Sequence, residues 1–444
     1  MANKETLDIV RHQLDAIRKN GVLDGENADR SENLHRLFAY PAMMVPMAQY
    51  AIIKAISTCL PPKAMAIDPF MGSGTSLMSC MEFGFRVFGQ DINPLAVLLT
   101  KAKVYKYDMK SLRSKCQIVL DSIRDDKSVH IDVGFHNIDK WFNHNTQVDL
   151  SKIRRAINNI NDSAIRCFLW IIMAEVIRTG SNDRTSTFKL HCREKSDIEH
   201  RKDIINILKN FSTLLQRSID DIETYWSKIQ VVKESMGGCY MPNAEIVWGD
   251  TKNNINTTKK FDLLVSSPPY GDNHTTVTYG QTSFLPLQWI DSSDIDCPFD
   301  YLKTTQEIDR QSLGGTLNRK EVLRDSDCVL KKSESLREFY ESIPDEEKNK
   351  YLKTLSFITD FDKSLDKIVA VMKDDAFYIW TIGNRFVGNR EIPNDQILID
   401  LMAVRDIPLF ERAERQILNK KQAPKNNFSN TMEKEHILIF HRSV

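Results

Sequence analysis

The sequence predicts an α/β chain built around a mostly parallel sheet, and three segments carry that prediction. Ala64-Met65-Ala66-Ile67 is a short apolar run after Pro61-Pro62, with the length and flanks of a buried strand. It leads through Asp68-Pro69-Phe70-Met71-Gly72-Ser73-Gly74-Thr75 into a helical stretch, Thr75–Met81. Arg86–Gln90 is a second strand and ends in Asp91, 19 positions beyond Gly72. Phe261–Val265 is a third. It delivers Ser266-Ser267-Pro268-Pro269-Tyr270 at its carboxyl end, the end at which open α/β sheets bind ligands.

The remaining elements follow in chain order. Residues 1–32 read as a helical extension with a break between Gly21 and Gly25. Residues 33–105 hold the first two strands and the glycine turn. From 106 to 243 the pattern changes to long amphipathic helices, such as Ser163–Arg178, with its apolar run Phe168–Met173, and Ile204–Val232. Parallel crossovers seldom need so many residues, so 106–243 is expected to be a helical insertion. The sheet resumes within 244–444, where 291–350 forms a polar insertion carrying Arg310, Arg319, Lys320, Arg324, Lys331 and Lys332. Phe361–Met372 reads as a helix, Asp375–Asn384 as a strand and Ile397–Val404 as a helix. Phe410–Leu418 and His436–His441 read as a closing pair of strands.

Composition narrows the function classes. The chain of 444 residues has 60 basic and 60 acidic residues, so no global field draws it to nucleic acid and a local basic cleft would have to do so. Eight scattered cysteines without a C-x-x-C pair, and histidines without clustering, argue against a disulfide scaffold or a metal site and fit a reducing cytoplasm. The polar start and the lack of an apolar run of about 18 residues imply neither secretion nor a membrane span.

The glycine turn is the first chemical feature. Gly72 and Gly74 let backbone N–H groups approach a ligand closely, and an acid about 20 residues on is where nucleotide-binding α/β folds grip ribose hydroxyls. Together with Gly89-Gln90-Asp91-Ile92-Asn93-Pro94, the turn resembles motifs I and II of the exocyclic-amino DNA methyltransferases. Tyr40-Pro41-Ala42-Met43-Met44-Val45-Pro46 resembles their motif X, and Glu245-Ile246-Val247-Trp248-Gly249-Asp250 their motif III. The resemblance covers roughly 33–105 and 244–290, continues more weakly from 354, and leaves out 106–243. It implies a class I methyltransferase fold, Rossmann-like, with a seven-stranded mostly parallel sheet ending in an antiparallel hairpin. Asp406 and Pro408 depart from the glycine turn that many relatives have before that hairpin. The resemblance further implies S-adenosyl-L-methionine as cofactor, held by Tyr40, Pro41, Asp68, Phe70, Gly72, Gly74, Thr75, Asp91, Ile92, Asn93 and Asp250.

In the same resemblance, Ser267-Pro268-Pro269-Tyr270 is the catalytic turn. An exocyclic base amine is a poor nucleophile because its lone pair is delocalised into the ring. The Ser267 oxygen and the Pro268 carbonyl are suited to accept its hydrogens and aim the lone pair at the cofactor methyl. The two prolines fix φ and remove donors, and Tyr270 can stack on a base rotated out of the duplex. A serine before Pro-Pro goes mostly with cytosine N4 in this family, and Asp or Asn mostly with adenine N6. The expectation is therefore a site-specific cytosine-N4 methyltransferase on double-stranded DNA, in a restriction-modification system with a cognate endonuclease. Adenine-N6 methylation, an RNA base amino-methyltransferase and a non-catalytic binding subunit of the same fold stay open. For DNA contact the candidates are Arg184, Lys189 and Arg193, in a stretch mixing cations with hydroxyls, and Lys420 and Lys421 in the terminal hairpin loop.

Overall fold

A computed structural model describes residues 4–25, 32–187, 189–202, 205–235, 244–274, 276–417 and 432–442. Seven strands form the main sheet: β1 (Met65–Asp68), β2 (Arg86–Asp91), β3 (Ala244–Trp248), β4 (Phe261–Ser266), β5 (Met372–Ile382), β6 (Leu409–Gln416) and β7 (Lys434–His441). Their order is β3-β2-β1-β4-β5-β7-β6. β1 to β5 pair in parallel, whereas β7 is antiparallel to both β5 and β6. This is the class I methyltransferase arrangement that the resemblance implies. The chain runs outward from β1 through β2 to β3, then returns to the other side of β1 as β4. The strand order therefore reverses between β1 and β4, and their carboxyl ends open a crevice of the kind that holds ligands in such sheets.

Alternation along the strands builds two apolar layers. Leu263, Val265, Phe377, Ile379, Ile437 and Ile439 face one side. Leu264, Tyr378, Trp380, Leu438 and Phe440 face the other. The first layer packs under the helices Pro46–Ser57, Thr75–Met81 and Pro94–Val104, and continues without a break into Met109–Asp125, His144–Asn158, Ser163–Gly180 and Ile207–Ser235. All the long helices between β2 and β3 thus join the sheet's own core. Ser163–Gly180 is apolar almost all round because it lies in the middle of this layer, buried from Cys167 to Ile177. Asp162 starts it by accepting from the Ala164 and Ile165 amides at 3.1 Å each. Trp289 and Trp380 are fully buried core residues.

The second layer is closed by the helices Leu352–Val371 and Asn394–Ala403. The first of these starts nine residues before the expected Phe361, because Leu352, Leu355, Ile358, Phe361, Leu365 and Ile368 keep one helical stripe against the sheet. β5 starts at Met372, which pairs with Phe261, rather than at Asp375. Asp406 takes φ of 58° at the turn into β6, so it adopts the left-handed conformation otherwise given to glycine, which Asp tolerates through its short polar side chain. Among the described residues the cysteines are free, no cluster of His, Cys, Asp and Glu suits a metal, and no helix is long and apolar enough to cross a membrane.

Gly89 in β2 tests how tightly the glycine turn is seated. A Cβ there would meet Leu77 Cδ1 and Met71 Sδ, each at 2.5 Å. Gly89→Val should cost about 1–3 kcal/mol by overpacking. A lower urea midpoint with an unchanged slope is the expected result, and Gly89→Ala should lie between the two.

Candidate active site

The crevice is held together by one buried carboxylate. Asp68, at the end of β1, accepts from the Phe70 amide at 3.0 Å, from Ser266 Oγ at 2.7 Å and from Ser76 Oγ. Burial pushes its carboxyl up to about 6, against the pull of those donors. It is fully buried and is not among the residues that line the crevice, where it was expected to meet the cofactor. Its bonds join the glycine turn, the following helix and the last residue of β4.

The glycine turn is seated from behind by the helix Pro94–Val104. Thr100 Oγ1 donates to the Gly72 carbonyl at 3.1 Å and Lys103 Nζ to the Ser73 carbonyl at 2.8 Å. Gly72 and Gly74 have φ of 48° and 74°, and a Cβ on Gly74 would lie 2.7 Å from Thr100 Cγ2. Gly74 therefore serves the close approach of helix and turn. Thr75 is buried and bonded to His35 Nε2 at 2.8 Å. Neither Gly74 nor Thr75 lines the crevice.

In front of the turn lies a cleft lined by Tyr40, Phe70, Gly72, Asp91, Ile92, Asn93, Asp250, Ser267 and Pro269 among the expected residues. Pro41 and Pro268 are buried and are not among the lining residues. Asp91 accepts from the Gly72 and Asn93 amides at 2.8 Å each, which fixes its carboxylate at the end of β2. Burial raises that carboxyl to about 6. Asn93 caps the next helix through the Leu95 amide and donates to the Tyr40 hydroxyl at 3.1 Å and to Ser283 Oγ at 2.8 Å. Asp250 accepts from the Lys252 amide at 3.1 Å and from Asn253 Nδ2 at 2.7 Å.

Several lining residues carry no signal in the sequence. Tyr279 stacks on Tyr40 with ring centroids 5.6 Å apart, and Ile308, Ser312 and Leu313 close the cleft from the 291–350 segment. Asn273 is buried there, with its side-chain oxygen unpartnered among the described residues. Two carboxylates, aromatic walls and a waiting acceptor fit a nucleoside with vicinal hydroxyls and an amino group. None of these was a sequence expectation, although Asn273 follows the Pro-Pro turn by a few positions.

The Ser267–Tyr270 turn leaves β4 beside this cleft. Ser267 Oγ lies 3.1 Å from the Tyr270 hydroxyl, and that hydroxyl donates to Glu435 Oε1 at 2.9 Å. Arg415 donates to the other oxygen of Glu435 at 2.6 Å. Asn394 Nδ2 donates to the Tyr270 carbonyl at 3.0 Å and the Gly383 carbonyl at 2.9 Å. Tyr270 is half-buried and does not line the cleft. Its ring lies against Gly383, where any Cβ would come within 2.9 Å of it.

A second, polar recess of about 740 Å³ lies next to the cleft, lined by Lys189, His274, Thr278, Gln281, Gln306, Arg310, Gly315 and Lys353. It draws on both insertions and on the segment after the Pro-Pro turn. The expected nucleic-acid contacts separate here. Lys189 reaches the recess, Arg184 is engaged with Glu194 at 2.7 Å, and Arg193 donates to the Arg184 carbonyl at 3.1 Å. Lys420 and Lys421 lie outside the described residues.

No protein-family model matches the chain. Type II methyltransferase M.MvaI of Kocuria varians is 30% identical over 456 residues, which cover 97% of this chain and 96% of that protein. Type II methyltransferase M.MjaII of Methanocaldococcus jannaschii is 32% identical over 107 residues, 24% of this chain and 19% of the relative. The solved rRNA methyltransferase aviRa from Streptomyces viridochromogenes aligns over 94% of both chains at 9% identity with a TM-score of 0.34, and carries no weight here.

Asp91 gives the cleft a pH signature. A carboxylate offers more acceptor sites than a carboxylic acid, and this one takes up its proton near pH 6, above the ordinary carboxylate range. Affinity for S-adenosylmethionine should therefore weaken as pH falls through about 6. Asp91→Asn should flatten that dependence, and Asp91→Ala should weaken binding by about 1.5–3 kcal/mol at neutral pH. Calorimetry across pH 5–8 reads both, and a parent affinity unchanged over that range would remove Asp91 from the cofactor's contacts.

Proposed function

The chain belongs to the type II methyltransferase family, and on that footing we propose that it transfers the methyl group of S-adenosyl-L-methionine to the N4 amine of a cytosine in double-stranded DNA. The observation that supports this most directly is that Ser267 and Pro269 line the same cleft as Gly72, Asp91 and Asp250. An amine acceptor and a nucleoside grip are thus within one cavity. The cofactor, when bound, supplies an activated methyl on a sulfonium.

The chain's own residues divide the remaining work. Asp91 accepts from the ribose hydroxyls and Asp250 from the adenine amine, while Tyr40, Phe70 and Ile92 flank the ligand. Ser267 Oγ and the Pro268 carbonyl accept the two hydrogens of the target amine. That pulls its nitrogen away from ring conjugation and turns the lone pair to the methyl. Tyr270 stands beside the cleft rather than in its lining, and the base, which must leave the stack to be reached, would meet its ring at the cleft's edge. The serine before Pro-Pro is the reason for cytosine N4 over adenine N6.

For the duplex, the polar recess supports contact with phosphates. Lys189, His274, Arg310 and Lys353 converge there from separate segments, in a chain whose net charge is zero. The insertions 106–243 and 291–350 would then share target recognition. A cognate restriction endonuclease acting on the same sequence completes this reading.

Three measurements test it. Nucleoside digestion and mass spectrometry of DNA exposed to the enzyme and cofactor should yield N4-methylcytosine. N6-methyladenine would replace the choice of base, and methylated RNA with untouched DNA would replace the substrate. Tyr270→Ala should lower turnover by about one to two orders of magnitude, since stacking on an aromatic ring is worth roughly 1–3 kcal/mol per base. Lys189→Ala with Arg310→Ala should weaken duplex binding and make its salt dependence shallower, leaving cofactor affinity as it was.

A further inference from the structure

A serine hydroxyl is an ambiguous choice for holding an amine, because it donates as readily as it accepts. A carboxylate in that position would accept without help. A hydroxyl becomes a reliable acceptor only if something else takes its proton, and the structure contains a chain of bonds that does so.

The chain begins at Glu435 in β7. Its side chain is mostly buried, and Arg415, its register partner on β6, donates to it through both Nε and Nη2, at 2.6 and 2.5 Å. In that ion pair Glu435 is a carboxylate, and a carboxylate only accepts. The 2.9 Å bond to Tyr270 therefore has one direction, from the phenol to Glu435. Burial first, and then the Glu435 charge, hold the Tyr270 hydroxyl well above the usual phenol range, so it keeps its proton to give. With that proton spent, the Tyr270 oxygen accepts from Ser267 across 3.1 Å. Ser267 has then used its only proton, and both of its lone pairs are available to the cleft.

We propose that Glu435, acting through Tyr270, is the positioning residue that makes Ser267 an acceptor, and that it thereby tunes the site for an amine and against a carbonyl at the reacting position of the base. This rests on the reading of Ser267 as the amine's acceptor. It also gives the Tyr270 hydroxyl a role beyond the face of its ring. Arg415 has the supporting part of holding Glu435 turned toward Tyr270.

Glu435→Gln tests the direction of the chain while keeping its shape. Arg415 still claims the side-chain oxygen, so the new NH2 faces Tyr270 and donates. Tyr270 must then donate to Ser267, and the Ser267 proton turns into the cleft. Turnover on a duplex carrying the methylated site should fall about tenfold or more, with cofactor affinity and melting temperature unchanged. The direct readout is binding of that duplex with uracil in place of the target cytosine, which presents a carbonyl where the amine was. The parent should prefer cytosine, and Glu435→Gln should narrow or reverse that preference.

Unchanged turnover and unchanged base preference in Glu435→Gln would overturn the proposal. So would a drop in cofactor affinity that accounts for the lost turnover, since that marks a strut. If Glu435→Gln does not fold, Tyr270→Phe breaks the same chain and should lower turnover and narrow the cytosine preference. In a folded double variant, adding Glu435→Gln to Tyr270→Phe should cost nothing further, and additive losses would count against the chain. Ser267→Ala separates the two levels. Full turnover in Ser267→Ala sinks the acceptor reading itself, whereas loss there with full turnover in Glu435→Gln sinks only the role of Glu435.

Discussion

The buried carboxylate of Asp68 is the joint on which the site depends. It receives donors from the glycine turn, from the helix that follows and from Ser266, immediately before the Pro-Pro turn. β1 and β4 are neighbours in the sheet although nearly two hundred residues separate them, and Asp68 ties their carboxyl ends together. Burying such a group is unfavourable unless its hydrogen bonds are made, and here every donor around it belongs to a segment that must be held in place. The fold thereby converts an electrostatic requirement into a fixed separation between the glycine turn and the Pro-Pro turn.

Around this joint the site is assembled by layers rather than by one element. The helix Pro94–Val104 supports the glycine turn from behind with Thr100 and Lys103, and its cap Asn93 reaches forward to Tyr40 and Ser283. Tyr40 comes from before β1 and Tyr279 from after β4, yet they stack to form one wall. The terminal hairpin reaches the site from the far end of the sheet, through Glu435 and Tyr270. The helices between β2 and β3 belong to the sheet's core, while a loop among them brings Lys189 to the polar recess.

Much of this was legible in advance, and the parts that were not share a cause. Short apolar runs ending in glycine, proline or an acid marked β1, β2 and β4, since strand length and turn chemistry are local properties. Asp91 and Ser267 were legible for the same reason, each ending a recognisable strand. Asp68 was read as a cofactor contact, because sequence shows that an acid stands at the turn and does not show which way it faces. Arg184 and Arg193 looked as available as Lys189 until Glu194 and the Arg184 carbonyl were found to engage them. The helix Leu352–Val371 was read from Phe361 only, although the apolar stripe of its first turns, Leu352, Leu355 and Ile358, was present in the sequence.

The sequence by itself determined the order of strands and turns, the chemical identity of the acceptor and the acid, and the family to which they point. These follow from periodicity, backbone restriction and spacing, which a chain carries along its length. Tertiary structure alone decided which polar groups are already spoken for and in which direction each hydrogen bond runs. Glu435 shows why. Nothing near it in sequence suggests a part in the site, and its bond to Tyr270 exists only because β7 lies against β5 and brings a carboxylate to a phenol. The direction of such a bond depends on every proton in the chain of contacts, and those contacts join residues that only the folded sheet makes neighbours.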